Sequence, residues 1–368
     1  MSVRIEKAKE TMSARERVER TFAFEKTDRV TISYDTNPAV HERLCRALGV
    51  KADDRRALDD VLGVDYTGVS ARFMGKNPYP EKPNRRINVL EGCYMRWVEN
   101  PSGGYWDFCD FPLKDATDEM FETYPIPNPD DFDYEYPLEM AKALGERYAL
   151  YAGDCGTPDM INSNGRIMGM EDVLVHFIDE DEAAMDFMRR RAASQLEVLS
   201  RTLEKCKGRL SFVWLGEDLG TQKTPMVSLK LYRSVMKPVH KQFIDLAKSY
   251  DLPVMIHTCG SSSWVYEDFI EMGVRGVDSL QPEATNMSPE YLEERFAGRL
   301  TLRGLISTAG PLAYGTAREV DEYCRRTLEI CMPHRGYHFA PSHAIQDNSP
   351  EENVIAMYQA AHKYGVYR

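Results

Sequence analysis

From about residue 208 to its end, the chain alternates short β-type runs with longer helical ones, and this alternation restricts the fold more than any other feature. The strand-like runs are "RLSFVWLGE" (209–217), "LPVMIHTC" (252–259), "VRGVDSLQP" (274–282), "RLTLRGLIS" (299–307) and "YHFAPSH" (337–343). Between them, stretches such as "SLKLYRSVMKPVHKQFIDLAKSY" (228–250) and "SPEENVIAMYQAAHKYG" (349–365) place apolar residues three and four apart. Several open on a Ser or Ser-Pro suited to capping a helix. Upstream, "DRVTISYD" (28–35), "LGVDYTGVS" (62–70) and "RYALYAGD" (147–154) supply three more strands. Eight strand–helix units predict an α/β fold of the (β/α)8 TIM barrel type. One segment breaks the repeat: "RRINVLEGCYMRWVENPSGGYWDF" alternates in period two around Pro-Ser-Gly-Gly, as a β-hairpin would. It is expected as an insertion after the second strand, with a Pro-rich return ("YPIPNPDDFDYEYP"), together covering about residues 75–140. Nothing linker-like divides the chain, so residues 1–368 are read as one domain.

Composition removes several classes of function. The formal charge of −12 repels polyanions, which argues against nucleic acid. No long uncharged apolar run argues for a membrane span, and the charged start has no secretory h-region, so a cytoplasmic location is expected. The eight cysteines are scattered without C-x-x-C, as in a reduced protein.

In a barrel, chemistry gathers at the carboxyl ends of the strands. Glu217 and Asp218 end the fourth strand, His257 and Cys259 the fifth, Asp278 and Gln281 the sixth, Ser307 the seventh, and Ser342 and His343 the eighth. Strand ends meet solvent and become polar for that reason alone, so it is their coincidence that points to a site. His257 and Cys259 in "VMIHTCGSSS" lie two apart and share one face of an extended chain. That arrangement offers nitrogen and sulfur to a metal, although His-x-Cys is short and a buried cysteine is commonly a small hydrophobe. Of the adjacent Glu217 and Asp218 only one can face the mouth, and Glu217 is taken as ligand or proton carrier. His343 is a further ligand or general acid, and Asp65 is a candidate for proton transfer. Gln222 and Gln281 would orient a substrate oxygen or brace loops. Tyr151, Trp214, Met168 and Met170 would wall a flat apolar ligand or simply fill the core, and Tyr94, Trp97, Tyr105 and Trp106 on the hairpin would cap the mouth or form a dimer surface.

The runs "GEDLGTQKTPMVS", "IHTCGSS", "GVDSLQPEATNM" and "FAPSHAIQDNSPEENVIAMYQAA", with "ERVERTFAFEKTDRVTI" near the start, resemble the uroporphyrinogen decarboxylase superfamily over nearly the whole chain. The resemblance is closer to the branch that includes corrinoid-dependent methyltransferases, and it too implies a (β/α)8 barrel. Porphyrinogen decarboxylases carry arginines after the first strand to hold substrate carboxylates, whereas the matching "ISYDTNPAVHERL" has Asp35 there and no arginine before Arg43. A polycarboxylate without cationic partners is poorly held. The thiol-methylating members hold zinc with His-x-Cys and a later cysteine; here His257 and Cys259 keep the pair, and His343 stands where that cysteine would be. The resemblance therefore implies Zn2+ on His257, Cys259, His343 and Glu217. It also implies a small-molecule methyl donor such as an aryl methyl ether, and methyl transfer (O-demethylation) to or from the cobalamin of a separate corrinoid protein, since the chain has no D-x-H-x-x-G stretch of its own. A metal-free decarboxylase using Asp65 and His343, and a non-catalytic small-molecule binding protein, are the alternatives.

Overall fold

The computed structural model describes residues 4–101 and 104–368. Eight strands make one parallel sheet: β1 (Thr31–Ile32), β2 (Tyr66–Gly68), β3 (Ala149–Pro158), β4 (Phe212–Gly216), β5 (Val254–His257), β6 (Gly276–Leu280), β7 (Thr301–Ile306) and β8 (Tyr337–Pro341). The spatial order is β1-β8-β7-β6-β5-β4-β3-β2, every neighbouring pair is parallel, and helices fill the connections, as in the expected (β/α)8 barrel. Seven of the eight strands fall within the segments read from the sequence, and β3 begins inside its segment but runs four residues past it, to Pro158. Period-two alternation sorts each strand's side chains. Val213 and Leu215, Val254 and Ile256, Val277, Leu302 and Phe339 join the large outer core beneath the helices. Tyr66, Phe212, Trp214 and Met255 gather with Tyr151 in a separate cluster.

Among the described residues no ladder pairs β1 with β2, and one backbone bond together with the Asp65 side chain closes the cylinder there. The Asp65 N–H donates to the Ile32 carbonyl (2.9 Å), while the Ile32 N–H donates to Asp65 Oδ2 (2.7 Å). The same carboxylate takes Arg17 (2.5 Å) and Arg29 (2.7 Å), and Arg17 continues to Asp28 (2.7 Å). Burial alone would raise the Asp65 pKa, but Arg29 and Arg17 outweigh it and hold the carboxyl below the usual range. Asp65 precedes β2, at the amino end of the barrel and away from the mouth. The expectation that it transfers protons to substrate is thereby corrected, because its oxygens are consumed by barrel closure.

The insertion follows β2. Cys93–Val98 and Tyr105–Cys109 form the expected hairpin, with Trp97 opposite Trp106; Ser102 and Gly103 of its turn lie outside the described residues. Arg86–Asn88 adds a third antiparallel strand, and Arg72–Phe73 pairs with Phe132–Asp133 to bring the excursion back. Trp97, Tyr105 and Trp106 are exposed, but Tyr94 is buried with Tyr79 and Cys109 and donates its hydroxyl to the Pro80 carbonyl (2.8 Å), so it belongs to the insertion's core.

Candidate metal centre at the barrel mouth

β5 ends at His257, whose register partners are Gly216 on β4 and Asp278 on β6. The loop after β4 therefore lies on one side of the imidazole and β6 on the other. His257 Nε2 lies 3.4 Å from Cys259 Sγ and 3.7 Å from Asp218 Oδ1, and ligand atoms of these three residues all fall within 4.8 Å of one another. Among the described residues no other group of three such side chains is gathered this closely.

Each member is held from outside the cluster. His257 Nδ1 meets Asp278 Oδ2 at 3.0 Å, which fixes Nε2 toward the cluster. Asp278 also pairs with Arg303, which donates from Nε to the Tyr66 hydroxyl (2.8 Å) and stacks 4.7 Å from the Trp214 ring. Asp218 Oδ1 accepts from the Cys259 N–H (2.8 Å), and its Oδ2 accepts from Asn162 Nδ2 (2.9 Å). The Ser279 hydroxyl lies 3.2 Å from Cys259 Sγ and donates to the Ser342 carbonyl (2.9 Å). Ser279 takes φ +63°, a costly conformation for a non-glycine residue, at a break in the β6–β7 register. The loops after β4 and β5 are in backbone contact: a Cβ on Gly260 would lie 2.2 Å from the Gly220 carbonyl oxygen, and the Ser261 N–H donates to the Thr221 carbonyl (2.8 Å).

The electrostatics match a cation-binding cluster. Burial disfavours the charged imidazole, yet Asp278 and Cys259 facing its two nitrogens hold the His257 pKa well above its ordinary value. Burial pushes the Cys259 thiol up. For Asp218 burial is outweighed by His257 and the Cys259 N–H, so its carboxyl stays low, and Arg303 with His257 holds Asp278 down at about 2 against burial. Two carboxylates thus surround one imidazole and one thiol, and a divalent cation would take the place of the protons on the latter two. Nitrogen, sulfur and oxygen donors within this span fit Zn2+.

The remaining expectations divide. Choosing Glu217 over Asp218 is corrected. Glu217 is fully buried on the other side of the chain, where it accepts from the Met160 and Ile161 N–H groups (2.7 and 3.0 Å) and meets His240 Nε2 (3.0 Å). Burial pushes its pKa up to about 8 despite those donors. His343 lies outside the three-residue cluster, exposed after β8, with its Nδ1 at 3.4 Å from the Ala344 carbonyl and 3.5 Å from Gln346 Nε2. It is corrected as a ligand and stands at the rim. Gln222 donates to Gln281 (2.8 Å), which also accepts from the Gly260 N–H (2.9 Å); the pair braces loops. Tyr151 and Trp214 meet edge to face, ring centroids 4.9 Å apart, inside the barrel. Met168 is corrected as a wall residue because it is wholly buried in the outer core, and Met170 is exposed on the Met170–Asp179 helix. Asn162, Ser279 and Arg303 escaped the sequence reading; their partners lie 56, 20 and 25 residues away.

Eight parallel strands closed around buried charge, with thiol, imidazole and carboxylate at their carboxyl ends, define a (β/α)8-barrel protein with a candidate metal centre. The chain belongs to the uroporphyrinogen decarboxylase (URO-D) family, whose model matches residues 126–364, more than half of its length. Its structure is similar to that of a methyltransferase from Methanosarcina mazei, with TM-score 0.67 and 14% identity over 96% of this chain and 99% of that one, a likeness of fold. Native xylanase 10B from Thermotoga maritima is a looser match, with TM-score 0.43 and 11% identity over 96% and 98%. No curated protein matches the chain at a significant level. Among the described residues, no helix is long and apolar enough to cross a membrane.

Proposed function

We propose that this protein is a zinc-assisted methyltransferase that moves a methyl group between a small methylated compound, such as an aryl methyl ether, and the cobalt of a corrinoid carried by a separate protein. The observation that carries this reading is the Asp218–His257–Cys259 cluster at the carboxyl ends of β4 and β5. Asp218, His257 and Cys259 would hold the metal, which when bound supplies a Lewis acid for the leaving oxygen of the donor. Asp278 keeps the His257 ring oriented through Nδ1, and Asn162 does the same for Asp218 through Oδ2. Ser279 donates toward the sulfur or onward to Ser342, softening the negative charge that Cys259 presents. Tyr151 and Trp214 form an aromatic floor beneath the mouth, and His343 at the rim would return the proton to the demethylated oxygen. The corrinoid partner would dock over the same open face. The metal-free decarboxylase loses support because Asp65 is locked at the opposite end.

Metal analysis and methyl-transfer assays on purified protein test the proposal together. Wild type is expected to hold about one zinc per chain, and Cys259→Ala and His257→Ala to lose both metal and transfer. Full transfer by a metal-free His257→Ala protein sinks the zinc mechanism.

A further inference from the structure

The Glu182–Lys205 helix carries Arg191, a guanidinium only 8% exposed that pairs with no carboxylate among the described residues. Its bonds go to neutral acceptors: Nη1 donates to the Ser163 carbonyl (3.2 Å) and Asn164 Oδ1 (3.1 Å), and Nη2 donates to the Glu91 carbonyl (3.0 Å). The Glu91 carboxylate is engaged by Arg166 instead (2.7 Å). Arg166 thus takes the carboxylate of Glu91 while Arg191 takes only its backbone carbonyl, and among the described residues no carboxylate pairs with Arg191. Burying a cation without a counter-charge is costly. Two of the five N–H groups, that on Nε and one on Nη2, make no hydrogen bond among the described residues, and guanidinium N–H pairs of this kind grip carboxylates in two parallel bonds.

Arg191 also lines a cavity of about 280 Å3 between its own helix, the carboxyl ends of β2 and β3, and the insertion. Leu90, Ile126, Phe132, Val198 and Leu199 give the cavity an apolar wall, and none of the three metal-cluster residues lines it. Of the two carboxylates that line it, Glu91 is paired with Arg166, and the exposed Asp154 accepts through Oδ1 from the Gly156 N–H (2.8 Å) and the Thr157 hydroxyl (3.1 Å). A charge held out of water in a cleft of an acidic protein selects a single small anion rather than a general ion atmosphere.

We propose that this cavity binds a small monocarboxylic acid with an apolar body, its carboxylate on Arg191 and its body against Leu90, Phe132 and Val198. The volume suits an acid about the size of benzoate. The site is separate from the metal centre yet joined to it. The Ser163 and Asn164 groups that Arg191 holds belong to the Asn162–Met168 helix, whose Asn162 steadies Asp218.

Calorimetric titration of the full chain with benzoate, and with uncharged benzamide of the same shape, tests the assignment. Benzoate is expected to bind one site, and benzamide at least about tenfold more weakly. Arg191→Met is expected to weaken benzoate by at least about tenfold. Because Arg191 also holds a helix, a second arm uses Val198→Trp, which fills the apolar end and leaves the guanidinium in place; it should melt like wild type and lose benzoate. Equal binding of benzoate and benzamide, undiminished benzoate binding in Val198→Trp (which would place the acid on the metal cluster), or no binding to wild type at about 10 mM would each overturn it.

Discussion

At the scale of single residues, the reversal between Glu217 and Asp218 is the most instructive. Trp214 faces the barrel interior, and on an extended strand residues 216 and 218 share its side while Glu217 takes the other. The same count from Met255 places His257 and then Cys259 inward. The parity was therefore legible in the sequence once Trp214 was assigned to the interior. What was not legible was the use of Glu217: it satisfies two backbone N–H groups 56 and 57 residues away, a relation without local signature. Glu217→Ala would leave those donors buried without partners and should cost about 2–4 kcal/mol in a denaturant melt. A Glu217→Ala protein as stable as wild type but empty of zinc would restore Glu217 as a ligand. Asp278→Asn removes the carboxylate that orients His257, and zinc affinity measured against a chelator should fall about 10–100-fold.

Elements with their own periodicity could be read from the sequence, and elements defined by a distant partner could not. The barrel strands β4, β5 and β8 are largely apolar runs bounded by polar or turn residues, the others lie in β-type segments that carry polar residues such as Asp278 and Arg303, and the Tyr94–Trp97 and Trp106–Phe108 segments mark the hairpin. Arg86–Asn88 is three residues long and exists only because Met95, Tyr94 and Cys93 lie beside it, and the Arg72–Phe73 pairing spans about sixty residues. The rim is set by contacts of the latter sort. Gly260, at φ +70°, abuts the Gly220 carbonyl and thereby fixes the spacing between the loops that carry Asp218 and Cys259. Gly260→Ala has to part those loops. It should lower stability by about 2–4 kcal/mol and weaken zinc binding, whereas unchanged zinc affinity would show that the loops move without disturbing the ligands.

For the whole molecule, buried neutral histidines make the barrel sensitive to acid: His240 and His338 are held down at about 4 and about 3 by burial, and a third stands at the joint between β1 and β2. His362 from the last helix sits there, with Nε2 at 3.1 Å from the Leu62 carbonyl and Nδ1 accepting from the Ala8 N–H (3.3 Å), so the folded state needs the neutral ring. Burial and nearby Arg29 hold its pKa down at about 4. A lowered histidine pKa means that the unfolded chain binds the proton first. The contribution of His362 is therefore full above about pH 6.5 and is lost as the pH falls toward 4, by up to about 3 kcal/mol. His362→Asn should flatten that part of the profile in thermal melts between pH 7 and 5, and an equally steep profile would assign the acid sensitivity elsewhere. Asp65→Ala, which removes the buried carboxylate between Arg17 and Arg29 and leaves them only Asp28 and Glu10, should cost about 3–5 kcal/mol at neutral pH. A closed sheet normally has no free margin, but here one margin is masked by a carboxylate clasped between two guanidinium groups. Acid strong enough to discharge that clasp would bare the unpaired N–H and C=O groups of two short strands to other chains. Clumping in strong acid, below the ordinary carboxylate range, should therefore begin at this seam, and not among the exposed aromatic rings of the insertion.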